Sequence, residues 1–341
     1  MNIQDIAKIT GYSSATVSRA LNNTGYVKEE TKAAIFKVVK EHNYVPNAIA
    51  RNLSKNQSKE IGVIVPDIEN EFFSKMVCGI SNEAEAKGYH IILLATIESQ
   101  EREHCFLKLV EEQRMAGIII TPVSEEDEIT KRELQRFQDN GTPVVLVDRD
   151  IPASGFSGVF SDNVESAKQA VVALIKEGHR KIATISGPVT SKPGKERLDG
   201  YLMALREFGI EIRPEFIQDG DFRQAKAYEC TKNLLDLDDP PTAIFTVNNL
   251  TTLGCLQCMT EYNMAIGKDI SIVGFDDIDA LKAIGYKLSV VDRDINRIGR
   301  EAIRLLMDLI DTKVESRIEP KKIELPCELV LRGSEKTTTG V

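Results

Sequence analysis

No apolar run in this 341-residue chain approaches the length of about 18 residues that a membrane-crossing helix needs, so no span is expected. No signal peptide is expected at the amino terminus, which is amphipathic from the start. Six cysteines are few for a chain this long, and reduced thiols in a cytoplasmic protein are expected. Cys255 and Cys258 form a CxxC with neither a second pair nor a nearby histidine, which points to core packing rather than to metal or redox chemistry. No GxGxxG follows the first strand of either half, which argues against a dinucleotide-dependent dehydrogenase. The loop from Gly187 to Lys195 has six residues between its glycines rather than the four of a phosphate-binding loop, and Glu196 stands where Ser or Thr would hold magnesium. No nucleophile–base pairing recommends an enzyme; no catalytic residue, metal or cofactor is expected. No leucine heptad follows Leu331, so no coiled-coil tetramer is expected.

What is present is a charge asymmetry. Residues 1–60 hold nine Lys and Arg against five Asp and Glu, a net charge of +4. The remainder holds 34 against 47, a net of −13. A basic head on an acidic body is expected where one end meets phosphate. With 42% hydrophobic and 28% charged residues, the chain is long enough for two or three domains with their own cores.

The first 45 residues read as three short helices. Asn2 can cap a helix over about Ile3 to Thr10, and Gly11 can end it. Ser13 can cap a second, about Ser14 to Asn22, in which Val17, Ala20 and Leu21 face inward at i, i+3 and i+4. Ser14, Ala15, Thr16, Ser18 and Arg19 are left on the outer face. They are small or polar, with one arginine able to grip guanine O6 and N7 with two bonds. A third helix, about Glu29 to His42, would close the core through Ala34, Ile35, Val38 and Val39. Two helices joined by a glycine turn make a helix-turn-helix, whose second helix enters the major groove. Pro46 then stops the chain's third helix, and Asn47 can cap a short one ending near Ser54. So short a helix forms only when something packs on it. Leu53 beside Arg51 is either an apolar wedge for a minor-groove step or a stray leucine in a linker.

Together Ile3-Gln-Asp-Ile-Ala-Lys8, Ser13, Thr16-Val-Ser-Arg19, Leu21-Asn22, Asn43-Tyr-Val-Pro-Asn47, Ala50-Arg51 and Leu53 closely resemble the lactose-repressor (LacI-type) family of bacterial regulators, and the resemblance continues to about residue 334. It implies a homodimer on a palindromic operator in double-stranded DNA. The DNA-contacting set would be Gln4, Ser13, Ser14, Ala15, Thr16, Ser18, Arg19, Asn22, Tyr26, Asn47, Ala50 and Leu53. Ser14 and Ala15 would choose bases, Ile49 would meet its twin in the partner subunit, and Leu53 would open the central base step.

After Ser58, short apolar runs alternate with helical stretches, from Ile61-Gly-Val-Ile-Val65 onward, and the pattern restarts near Val159. This predicts an α/β body of two doubly wound parallel-sheet lobes, like periplasmic binding proteins. The expected divisions are a head at 1–45, a hinge helix and linker at 46–58, a two-lobed core at 59–334 and a tail at 335–341. Lobe one would take about 59–160 and 292–320, and lobe two about 161–291 and 321–334. By the resemblance, the strand Leu288 to Val291 at that boundary and the helix Arg297 to Asp311 return to the first lobe, while 322–331 ends in the second. His179, in Glu177-Gly-His-Arg180, matches a family turn motif and is expected to be structural.

A ligand would sit in the cleft where strand carboxyl ends meet. Asp67, Asn70, Asp148, Arg149, Asp162, Asn248, Asp276 and Asp292 directly follow strands there, Phe72 and Phe73 open the first helix of the body, and Arg197 lies early in a helix. Carboxylates and amides suit hydroxyls, and aromatic faces cover a sugar ring; some of these residues would merely cap helices. The body is also similar to ribose-type sugar receptors at Asn70, Phe72-Phe73, Val147-Asp-Arg149, Arg197, Val247-Asn248 and Gly274-Phe-Asp276. It departs from them at Asp292, where those receptors carry glutamine, and at Asn248-Asn249. The implied ligand set is Asn70, Phe72, Phe73, Asp148, Arg149, Arg197, Asn248, Asp276 and Asp292. Three aspartates there oppose two arginines, which favours a neutral sugar or polyol over a doubly charged phosphate unless Lys192 and Lys195 fold over the site. The expected function is a repressor of sugar-utilisation genes. A nucleoside or nucleobase, a phosphorylated or acidic sugar, or a protein co-regulator are the alternatives for its effector.

Overall fold

The computed structural model describes residues 1–22, 25–42, 44, 58–312 and 319–336. The hinge helix expected at Asn47 to Ser54, with Asn47, Ile49, Ala50, Arg51 and Leu53, lies outside the described residues. The chain divides into two compact units, Met1–Ser58 and Lys59–Val341.

The first unit holds α1 (Ile3–Thr10), α2 (Ser14–Asn22) and α3 (Glu29–Glu41). Asn2 caps α1 reciprocally: its Oδ1 accepts from the Asp5 amide at 3.0 Å, and its own amide donates to Asp5 Oδ2 at 2.8 Å. Gly11 ends α1 in the left-handed region at φ 73° and returns its amide to the Ala7 carbonyl. Ser13 Oγ accepts from the Thr16 amide at 3.1 Å, opening α2. Ile6, Val17, Ala20 and Ile35 are buried at the centre, with Leu21, Val38 and Val39 packed around them.

The second unit contains two six-stranded sheets. Lobe one is built from β1 (Glu60–Val65), α4 (Glu71–Ala86), β2 (His90–Ala95), α5 (Gln100–Glu112), β3 (Gly117–Ile120), α6 (Glu128–Asp139), β4 (Val144–Val147) and β5 (Ser157–Ser161). Lobe two is built from α7 (Asn163–Lys176), β6 (Ile182–Ser186), α8 (Lys192–Glu207), β7 (Ile217–Asp219), α9 (Gln224–Leu235), β8 (Ala243–Thr246), α10 (Asn249–Glu261), β9 (Ser271–Phe275) and a short α11 (Asp279–Ala283). The chain ends with β10 (Ser289–Asp292), α12 (Ile295–Asp311), β11 (Lys322–Leu325) and β12 (Glu328–Val330). The strand orders are β11-β5-β4-β3-β1-β2 and β12-β10-β9-β8-β6-β7. Every pairing is parallel except β12 against β10. The strands are near-continuous apolar runs because helices cover both faces of each sheet: β3, β4 and β8 are buried throughout.

The carboxyl-terminal segments differ from expectation. Ser289–Asp292 joins the second sheet, between β9 and β12, rather than returning to the first lobe. α12 does pack on α4 of lobe one. The expected segment 322–331 divides: β11 pairs with β5 in lobe one, and β12 pairs with β10 in lobe two. The break falls at Pro326, which has no amide hydrogen to carry a ladder on. Nor is 335 the start of a free tail. Glu335 is buried and pairs with Ser289 Oγ, while Ser271 Oγ donates to the Lys336 carbonyl at 2.8 Å.

The α4–α12 crossing depends on two glycines. A Cβ on Gly79 would meet the Asn296 carbonyl oxygen at 2.3 Å, and one on Gly299 would meet that of Met76 at 2.2 Å. Those partners are backbone atoms that cannot swing away, so the two helices touch main chain to main chain.

Candidate DNA-reading surface and interlobe cleft

In the head, Gln4, Ser14, Ala15 and Arg19 are exposed, and Tyr26 is 86% exposed. Ser13, Thr16, Ser18 and Asn22 are engaged locally: Ser13 Oγ lies 2.9 Å from Thr16 Oγ1, and Asn22 Nδ2 donates to Ser18 Oγ at 3.2 Å. α2 therefore presents two small side chains and an exposed arginine, Arg19, beyond a self-bonded hydroxyl row.

In the body, a cavity of about 830 Å³ lies between the lobes. Asp67, Asn70, Phe72, Phe73, Asp148, Arg149, Arg197, Asn248 and Asp276 all line it. Asp162 does not; it caps α7 through the Glu165 amide. Asp148 (φ 64°) and Asp276 (φ 69°) turn through left-handed backbone at the ends of β4 and β9, a costly conformation held by bonds to Val159 and Val291 carbonyls. Two of the residues also cap helices. Asn70 Oδ1 accepts from the Phe72 amide at 3.0 Å and from Asn249 Nδ2, across the lobes, at 2.9 Å. Asn248 caps α10 through the Thr251 amide at 2.8 Å.

Asp292 is the departure. It does not line the cavity; its Oδ1 accepts the Arg293 amide at 2.9 Å, and burial raises its carboxyl pKa. Neighbouring side chains at a strand end point to opposite sides, and the next residue, Arg293, is the one that enters. Its Nε and Nη2 donate to the two oxygens of Asp276 at 2.7 and 2.9 Å. Its Nη1 donates to Asp148 and to Ser161 Oγ, both at 3.2 Å. The guanidinium lies 4.3 Å from the Phe72 ring centroid and 5.3 Å from that of Phe275. Burial would lower the Arg293 pKa, but Asp276 and Asp148 outweigh it and the pKa is raised. The sequence signal for Arg293 was only its position, one residue past Asp292.

The remaining two arginines are held differently. Arg149 makes a bidentate pair with Glu98 at 2.7 and 2.8 Å and donates to the Pro122 and Val123 carbonyls, leaving Nε without a partner. Arg197 has no carboxylate bonded to it among the described residues. Its Nε donates to Asn163 Oδ1 at 2.9 Å and its Nη1 to the Val247 carbonyl at 2.6 Å, while Nη2 is buried without a partner. Its guanidinium stacks 3.8 Å over Phe275. Burial, and then the Arg293 charge, push its pKa down to about 10. Lys192 and Lys195 belong to the first turn of α8, not to a loop, and neither lines the cavity. Lys192 pairs with Glu196, and its amide donates to Glu125 of lobe one. His179 is buried, with Nδ1 2.8 Å from Thr242 Oγ1. Cys255 and Cys258 are fully buried.

Residues 58–332 match the model described as periplasmic binding proteins and sugar binding domain of the LacI family, and residues 2–47 match that of bacterial regulatory proteins, lacI family. The chain belongs to the LacI family. This LacI-family chain is 32% identical over 337 residues to the HTH-type transcriptional repressor PurR of Pasteurella multocida, covering 98% of each chain. It is 25% identical to a structure of the Lac repressor dimer bound to operator and the anti-inducer ONPF, with a TM-score of 0.83, covering 98% of this chain and 99% of that one. A complex of the transcriptional regulator CelR with cellobiose is 26% identical at a TM-score of 0.73, with the same coverage. The LacI-family chain is thus a DNA-binding transcriptional repressor and not an enzyme. No helix among its described residues is long and apolar enough to cross a membrane.

Proposed function

We propose that this LacI-family repressor controls sugar-utilisation genes in the cytoplasm, binding a palindromic operator as a homodimer and adjusting its grip when a sugar-derived effector enters the interlobe cavity. One observation carries the effector assignment: the cavity is faced by hydrogen-bonding groups from both lobes, with Asn70, Asp148 and Arg149 from one and Arg197, Asn248 and Asp276 from the other. A ligand bonded to both sides binds one interlobe angle more tightly than another, which is the requirement for shifting an equilibrium. By linkage, operator must change effector affinity by the same factor. In the head, Ser14, Ala15 and Arg19 would read bases. Gln4, Ser13, Thr16, Ser18, Asn22 and Tyr26 would fix the position on the backbone. Exposed Ile68 and Leu93 offer apolar surface for a second subunit.

Neutrality of the effector no longer has its original support, because Asp292 is outside the cavity and Arg293 is inside. A second reading is a purine, favoured by the names of the curated relatives and by Phe72, Phe73 and Phe222 in the lining. Against it, guanidinium groups already cover the Phe72 and Phe275 rings. The test is thermal unfolding against sugars, polyols, sugar acids and purines. A ligand at a hundred times its Kd adds about 2.7 kcal/mol to the native state. Stabilisation by a sugar or its derivative, together with altered operator affinity, is expected. Stabilisation by purines alone would replace this reading with the second.

A further inference from the structure

Of the fully buried side-chain atoms on residues lining the proposed effector cavity, those without a partner among the described residues are donors. Arg293 takes both oxygens of Asp276 and one of Asp148, the two carboxylates best placed to accept from ligand hydroxyls. Donors are left over instead: Arg197 Nη2 and Arg149 Nε have no partner. Buried donors without acceptors are costly, so a ligand reaching this cavity is favoured when it brings acceptors. Among the described residues three arginines are buried; Arg149 is balanced by Glu98 and Arg293 by Asp276 and Asp148, and Arg197 has no bonded acid, while Asp67, Glu101 and Asp221 also line the cavity.

We propose that Arg293 is the specificity-determining residue of the cleft, neutralising Asp148 and Asp276 so that a carboxylate, not another hydroxyl, is accepted at Arg197. The effector class is then a polyhydroxylated carboxylate, an aldonic or uronic acid. Arg197 Nη2 is a charged donor with no partner among the described residues, which suits a carboxylate oxygen. Without Arg293, two bare aspartates would face the incoming anion from the cavity floor and repel it. With Arg293, the same aspartates hold a cation in place. This rests on the cavity being the effector site, and it adds the sign of the charge.

The experiment uses the full chain and matched pairs of compounds differing in the carboxylate: D-gluconate against sorbitol, and D-galacturonate against D-galactose. Titration calorimetry and operator binding are read for each. For the wild type, at least one acid binds and shifts operator affinity, while its neutral counterpart binds on the order of a hundredfold more weakly, as loss of a charged hydrogen bond implies. In Arg293→Gln the preference reverses toward the neutral compound. Should Arg293→Gln not fold, Asp148→Asn serves: it removes one negative charge and tightens acid binding several-fold. Neutral binding without acid binding in the wild type, or acid affinity unchanged in both variants, overturns the role of Arg293 while leaving the cavity as the effector site. Response to neither class, with operator binding intact, overturns this proposal and the sugar reading of the cavity with it.

Discussion

The two lobes share one strand order and place an aspartate in left-handed backbone at matching strand ends, yet they treat their arginines oppositely. Lobe one encloses Arg149 with its own acid and two carbonyls, all from lobe one. Lobe two leaves Arg197 partly bonded, against an aromatic ring and near a second cation. One arginine has its charge met inside its own lobe, and the other has no bonded acid among the described residues. Arg149 follows β4 and Arg197 lies in α8, so a shared strand order does not give the two lobes the same arginine at the same place, and the difference lies in what each side chain meets.

The sharpest way to break the comparison is to remove the group that spans both lobes. Arg293→Ala leaves Asp148 and Asp276 buried without their cation, and urea unfolding is expected to lose about 3–5 kcal/mol. A loss near 1 kcal/mol would mean that the two aspartates are relieved by water and that Arg293 does not tie the lobes.

Next comes the contrast between the two arginines. Arg149→Met strands Glu98 and two carbonyls, at an expected cost of about 2–3 kcal/mol. Arg197→Met strands Asn163 Oδ1 and the Val247 carbonyl but also removes a desolvated cation with no bonded acid among the described residues, and stability should fall by about 1 kcal/mol while response to the effector is lost. Equal losses of stability in the two variants would erase the distinction.

Acidity sharpens the same boundary. Glu125 of lobe one accepts from the Lys192 amide of lobe two, and burial raises its pKa from 4.5 to about 7. An acid raised on folding binds its proton better in the native state. Its contribution is therefore full at low pH and lost as pH rises from about 4.5 to 7. Glu125→Gln should flatten that part of the stability profile, seen by thermal unfolding at a series of pH values. The smallest effect is expected from Asn249→Ala, which removes the cross-lobe bond to Asn70 at a cost of about 1 kcal/mol in urea unfolding.

The helices and strands were legible because their signals are local: Asn2, Ser13 and Gly11 at helix ends, and buried runs such as Ile61 to Val65. The eight cavity-facing residues from Asn70 to Asp276 that follow strands or open helices were legible for the same reason, as strand ends in this architecture face the cleft. Arg293 was not. Whether Asp292 or Arg293 enters depends on the pleat at the end of β10, a single-residue register that no periodicity over four residues fixes. The division of 322–331 between lobes was equally hidden, since a strand's sheet is chosen by distant partners, Gly158 to Ser161 for one half and Val290 to Asp292 for the other.

The glycine crossing of α4 and α12 bears on how a signal could travel. Where the two helices touch backbone to backbone, at Gly79 and Gly299, no side chain stands between them to be compressed or repacked. A displacement imposed on α12 at its amino end, beside Arg293, is therefore expected to be passed on to α4. α12 follows directly on β10 of the other lobe, so the pair behaves less like a packed interface than like a lever and its fixed bearing.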